Sequence, residues 1–75
     1  MRELVEFMAR NLVSDPSQVQ VREIARPHVT VLRLQVAQED MGRVIGKGGR
    51  VASAMRTVVR VATARDGQKV ILDIV

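Results

Sequence analysis

The spacing of apolar positions changes several times along the chain, and each change marks an element. Over Met1–Val13, Leu4, Phe7, Met8 and Leu12 fall at helical spacing, with Glu3, Glu6 and Arg10 off the stripe. This predicts an amphipathic helix whose core face is that stripe. Ser14-Asp15-Pro16 ends it. Val19-Gln20-Val21-Arg22 alternates as a half-buried strand does. After the turn Arg26-Pro27-His28, Val29–Gln38 carries a second strand, with Leu32, Leu34 and Val36 facing inward and Arg33 and Gln35 outward. Val29 and Val31 share the outward face, which is therefore not purely polar. The short connection makes the two strands a hairpin.

Met41–Ile45 is too short to stand alone as a helix. It reads as one helical turn held by packing, with Asp40 as its N-cap. Arg50–Ala64 is the clearest helix, with the stripe Val51, Ala54, Met55, Val58 and Ala62, and with Arg56 and Arg60 on another face. Asp66-Gly67 closes it, Gly67 being suited to a left-handed cap. Val70–Val75 is a last strand, with Val70, Leu72 and Ile74 on one side and Lys69, Ile71 and Asp73 on the other.

The order is αββααβ. The strand–helix–helix–strand portion should return parallel. The expected fold is α+β: a mixed three-stranded sheet with its three helices on one face, because so small a sheet needs one covered face. A chain of 75 residues makes one domain, spanning 1–75.

Composition narrows the chemistry. There is no cysteine, and His28 is the only histidine, so disulfides, thiolate sites and histidine metal sites are not expected. Ser14, Ser17 and Ser53 have no histidine partner in a triad pattern, and the adjacent carboxylates Glu39 and Asp40 diverge. No catalytic residue, metal or cofactor is expected. Arg2, Glu3, Glu6 and Arg10 are incompatible with a signal-peptide core, and no apolar run approaches the roughly 20 residues of a membrane span. The expectation is a soluble, cytoplasmic, non-enzymatic protein.

The net charge is +4, with a pI near 11.1, and its placement matters more than its size. From Met41 to Arg65 stand Arg43, Lys47, Arg50, Arg56, Arg60 and Arg65 with no acid among them; Asp40 and Asp66 flank the stretch. Within it lies Gly46-Lys47-Gly48-Gly49. Glycines allow sharp turns and let another backbone come close. The following helix directs its free N–H groups and positive dipole end back at the loop, a ready phosphate site. The spacing fits neither a dinucleotide fingerprint nor a P-loop. A tight interhelical turn with incidental charge stays open on spacing alone, as does a DNA-binding helix-turn-helix. Against the latter, the first helix is a single turn and the second offers few side chains to read bases.

Val44-Ile45-Gly46-Lys47-Gly48-Gly49 resembles the V-I-G-x-x-G signature of KH domains, and the αββααβ order resembles their type II arrangement. The continuation Gly49–Val59 is similar to the bacterial KhpA (YlqC) family of stand-alone KH proteins, and the likeness runs through nearly the whole chain. The broad KH pattern has a large aliphatic residue three positions after the last loop glycine. Here Ala52 stands there and Val51 is the bulky neighbour, a shift shared with the KhpA-like pattern. Gly48, where other members often carry a polar residue, should make the loop more mobile, at some ordering cost on binding.

The resemblance implies a GXXG clamp on about four nucleotides of single-stranded RNA. Carried over by position, Gly46 and Gly49 shape the loop and Lys47 and Gly48 meet the phosphates. Arg43, Arg50 and Arg56 would add charge, and Ile45, Val44 and Val51 would offer apolar surface to the bases, each with a competing place in the core that is the expected one for Val44. The strand Val29–Val36 should supply the opposite wall of the groove. Phe7 is the only aromatic residue, so base stacking, worth about 1–3 kcal/mol per base, is missing from that groove. Binding by one domain should be weak, salt-sensitive and shallow in sequence preference. A second site would raise it through avidity. The family resemblance implies such a partner: a homodimer, or a heterodimer with a KhpB (Jag/EloR)-like protein, acting as an RNA chaperone or post-transcriptional regulator linked to the cell envelope and cell shape. The alternatives are a KH-fold dimerisation scaffold with little RNA binding, and a single-stranded DNA binder.

Overall fold

A computed structural model describes residues 1–75. Its elements are α1 (Arg2–Leu12), β1 (Gln20–Ala25), β2 (Val29–Gln35), α2 (Met41–Ile45), α3 (Arg50–Thr63) and β3 (Lys69–Ile74), with single 3-10 turns between several of them. The sheet order is β1-β2-β3. β1 and β2 pair antiparallel with Val21 opposite Leu34, and β2 and β3 pair parallel with Leu32 beside Leu72. The expected α+β arrangement of type II KH domains, αββααβ with a mixed sheet, is therefore the one observed. No helix is long and apolar enough to cross a membrane.

The inner face of the sheet carries Val21, Leu32, Leu34 and Leu72, and α1 and α3 close over it with Val5, Ala9, Met55 and Val59. Val44 of α2 is fully buried among them. The strand alternation is as the sequence predicts, with Arg33 and Gln35 exposed between buried Leu32, Leu34 and Val36.

Both long helices are rotated from the predicted stripe. On α1 the fully buried line is Val5 and Ala9, with Leu4, Met8 and Leu12 half-buried, and Phe7 is 66% exposed. On α3 it is Ala52, Met55, Val59 and Thr63, while Ala54, Val58 and Ala62 are exposed. The reason is shared. Each helix has an apolar arc wider than a three-stranded sheet can cover, and small or β-branched residues permit the closer approach to it. The surplus of both arcs meets between α1 and α3 in an apolar groove of about 350 Å³, lined by Phe7, Met8, Leu12, Ala54, Met55 and Val58 among others.

Asp40 also departs from expectation. Its side chain does not cap α2. It is buried, and its carboxylate accepts the backbone N–H groups of Ser14 at 3.0 Å and Asp15 at 3.1 Å. The cap role lost to a longer-range one because the chain after α1 turns back beside α2 and brings two free backbone donors that need an acceptor.

Candidate nucleic-acid interface

α2 ends at Ile45, and the chain reverses through Gly46 before a 3-10 turn over Lys47–Gly49 leads into α3. The turn is closed by Gly49 N–H donating to the Gly46 carbonyl at 3.0 Å. Gly46 has φ 77° and ψ 167°, a conformation essentially reserved for glycine. A Cβ there would fall 2.8 Å from the Val51 nitrogen and 2.9 Å from the Val51 Cβ, and against its Cγ2 as well. Close packing of the first turn of α3 on the end of α2 thus requires a glycine. Gly48 and Gly49 are left-handed but face open space.

Lys47 and Gly48 form the exposed tip. Behind them, α3 begins at Arg50 with Gly49 at its N-cap position and no side-chain cap; the Arg50 N–H donates to the Lys47 carbonyl, and the positive dipole end of the helix faces the loop. Arg50 is exposed beside it. Arg43, on α2, is exposed and has its Nε 3.7 Å from Asp40 Oδ1, the one carboxylate close to it. That contact, the burial of Asp40 and its two backbone donors bear on its acidity together. The Ser14 N–H, more than any other group, holds the Asp40 carboxyl below its ordinary value; burial opposes this, and the Asp15 N–H and the Arg43 charge add to it.

The apolar candidates separate. Ile45 is 39% exposed at the loop base. Val51 is half-buried, packed between Gly46 and the core, and Val44 is wholly core. Ala52 is buried, so the small residue at this shifted position lets α3 sit close to the core.

Arg56 lies about 9 Å further along α3 from Arg50, at 1.5 Å per residue. Its Nε donates to the Leu72 carbonyl of β3 at 3.2 Å. Here the structure departs from the expected groove. β2 is the central strand, and the strand beside α3 is β3, at the sheet edge. A groove of about 390 Å³ runs between α3 and β3, with Arg56 and Arg60 on one wall, Lys69, Ile71 and Leu72 on the other, and Gln68 in the connecting loop. No carboxylate lines it. Of the lining residues, the sequence makes Arg56 a candidate contact and places Arg60 on the same helix face, while Lys69 and Gln68 are not singled out. Their helical and strand phases were legible, but which strand occupies the edge depends on sheet order, which a local pattern does not carry.

Residues 2–74 match the KH domain of KhpA and KhpB. The chain belongs to the KhpA/KhpB KH-domain family. It is 47% identical over 75 residues to the "RNA-binding protein KhpA" of Clostridium perfringens, 45% to that of Caldanaerobacter subterraneus subsp. tengcongensis and 44% to that of Halalkalibacterium halodurans. The alignments cover all of this chain and 99–100% of each of these KhpA proteins. The Gly46 reversal, the exposed Lys47-Gly48 tip and the uncapped start of α3 are thus placed on a KhpA-type KH fold.

Proposed function

We propose that the protein binds single-stranded RNA, with the phosphate backbone running over Lys47-Gly48 onto the start of α3 and the bases laid along the α3–β3 groove. The observation that carries this reading is the loop itself: an exposed glycine tip held by Gly46, before a helix start with no side-chain cap, in a stretch that contains no acid between Met41 and Arg65. Arg43, Arg50 and Arg56 flank the path, and Ile45 and Val51 supply its apolar floor. The names of the relatives support RNA as the ligand. A cytoplasmic location accords with this ligand.

The test is to replace Lys47 and Gly48 with aspartate together, verify folding, and titrate unstructured RNA at two salt concentrations. Aspartate tolerates the left-handed conformation of Gly48 better than most residues, and no atom obstructs a Cβ there. RNA affinity is expected to fall at least about tenfold, since an attractive charge becomes repulsive at the phosphate. For the parent, log K should fall linearly with log salt, by about 0.7 per phosphate neutralised. Unchanged binding in the double variant removes the loop from the site. A matched DNA oligonucleotide bound equally well would make the ligand single-stranded nucleic acid in general.

The functional form we propose is a pair: a homodimer, or a heterodimer with a KhpB-like KH protein, serving as an RNA chaperone or post-transcriptional regulator linked to the cell envelope. The apolar α1–α3 groove, with Phe7 and Val58 exposed, supports such a pairing; it shares no residue with the α3–β3 groove and meets the RNA path only at Val51. Val58→Glu is expected to shift the chain to monomer in sedimentation experiments while leaving its circular dichroism unchanged. A parent that is already monomeric at tens of micromolar would leave only the heterodimer. A parent that self-associates but binds no RNA would favour the scaffold reading.

A further inference from the structure

We infer that Arg56, held by the Leu72 carbonyl, makes the middle of the α3–β3 groove select bases that present hydrogen-bond acceptors, guanine above all, over adenine. This rests on the groove being the RNA site proposed above.

β3 is an edge strand. Its Val75 N–H donates to the Leu34 carbonyl of β2 at 2.9 Å. Backbone groups alternate sides along a strand, so Leu72 turns its own N–H and C=O toward the free edge. A bare edge of that kind offers a base one donor and one acceptor, which suits the donor–acceptor pair of adenine. Here one of the acceptor's two lone pairs is taken: the Leu72 carbonyl accepts from Arg56 Nε. That bond fixes the guanidinium plane at the groove wall and leaves both Nη amino groups for a ligand.

The edge at Leu72 therefore presents more donors than acceptors: the Leu72 N–H and the Arg56 fork, against one remaining lone pair of the carbonyl. An adenine amino group placed against the Arg56 fork meets donors. Guanine offers N7 and O6 as paired acceptors, the match an arginine fork makes best. The next backbone acceptor that faces the free edge is the Val70 carbonyl, two strand positions or about 7 Å from Leu72. Arg60 and Lys69 are cationic, and no carboxylate lines the groove. Gln68 gives its Nε2 to Thr30 Oγ1 at 2.8 Å, which frees its amide oxygen, but four strand positions, about 13 Å, separate it from Leu72.

The test uses the full chain and three unstructured RNA decamers: oligoadenylate, alternating adenosine and guanosine, and the same alternating sequence with 7-deazaguanosine, which lacks the N7 acceptor. The parent is expected to bind the adenosine–guanosine decamer about fivefold or more tighter than oligoadenylate. The 7-deaza substitution should remove most of that gain. Arg56→Lys and Arg56→Gln should bind both natural decamers alike, the lysine variant keeping the salt dependence of the parent. Equal parent affinity for the two natural decamers, with both bound through Lys47-Gly48, overturns this inference and leaves the RNA reading intact. A preference for guanosine that survives both substitutions, or that ignores the loss of N7, overturns it too. Failure of the parent to bind any of the three removes the RNA reading and this inference together. The 7-deaza comparison needs no variant, so it decides the matter even if replacing Arg56 weakens the fold.

Discussion

Gly46→Ala is expected to be among the most damaging single substitutions in the chain. Two costs add there. The backbone at φ 77° and ψ 167° lies in a region that side chains penalise by about 1–3 kcal/mol. The added methyl also meets the Val51 backbone nitrogen at 2.8 Å, which cannot move without displacing the start of α3. Overpacking of this kind costs about 1–3 kcal/mol more. Together they amount to about 2–6 kcal/mol, against a total stability that starts near 5 kcal/mol for small domains. A urea titration should show a much lower midpoint at unchanged slope, or no folded baseline at all. Gly48→Ala provides the control. It is left-handed too but meets nothing within 4 Å, so only the conformational cost of about 1–2 kcal/mol applies. Equal losses at the two positions would mean that packing on Val51 does not set the requirement for glycine.

That contrast shows how far the sequence could be read. The glycine cluster before a helix located the loop, because glycine density and the start of the α3 period are both local signals. Which glycine is indispensable was not local: it depends on where Val51 lands when α3 folds back on α2. The strands were legible for a similar reason, since alternation at Leu32, Leu34 and Val36 has only one burial solution. The helices were less so. Leu4-Phe7-Met8 and Val51-Ala54-Met55-Val58 are proper helical stripes, yet the sheet took the neighbouring lines Val5-Ala9 and Ala52-Met55-Val59. With apolar arcs this wide, periodicity gives the helix and not its rotation. The exposed remainder is what the sequence alone could not distinguish from core, and it is the surface on which a partner can be tested.

The candidate site divides the same way. Arg43, Lys47 and Arg50 belong to one short stretch and were found by charge. The far wall belongs to β3, and its identity followed only from the order β1-β2-β3. Arg56 links the two, since it is visible as a basic position on α3 but is held at the groove by the Leu72 carbonyl, 16 residues away in sequence.

Asp40→Asn is expected to produce the other large loss, and one that depends on pH. The carboxylate accepts from Ser14 and Asp15 N–H at once and stands near the Arg43 guanidinium. An amide keeps one acceptor oxygen and turns an N–H₂ toward the second backbone donor, so one buried bond is replaced by a donor–donor contact. At neutral pH the variant should melt several degrees below the parent. The sign of the pH dependence follows from the lowered pKa. A carboxyl whose folded value lies below its ordinary 3.8 contributes stability that is fully present above that value. The contribution is lost as pH falls through the folded value, where the parent takes up the proton that spoils the same acceptor. Parent and variant should therefore differ most near neutrality and converge in acid below that range. A constant gap between them at all pH values would show that the side chain acts through packing and not through its charge. Because Asp40 joins the turn after α1 to the helix that presents Gly46, thermal melting of the variant should be accompanied by weaker RNA binding at temperatures where the parent is still folded.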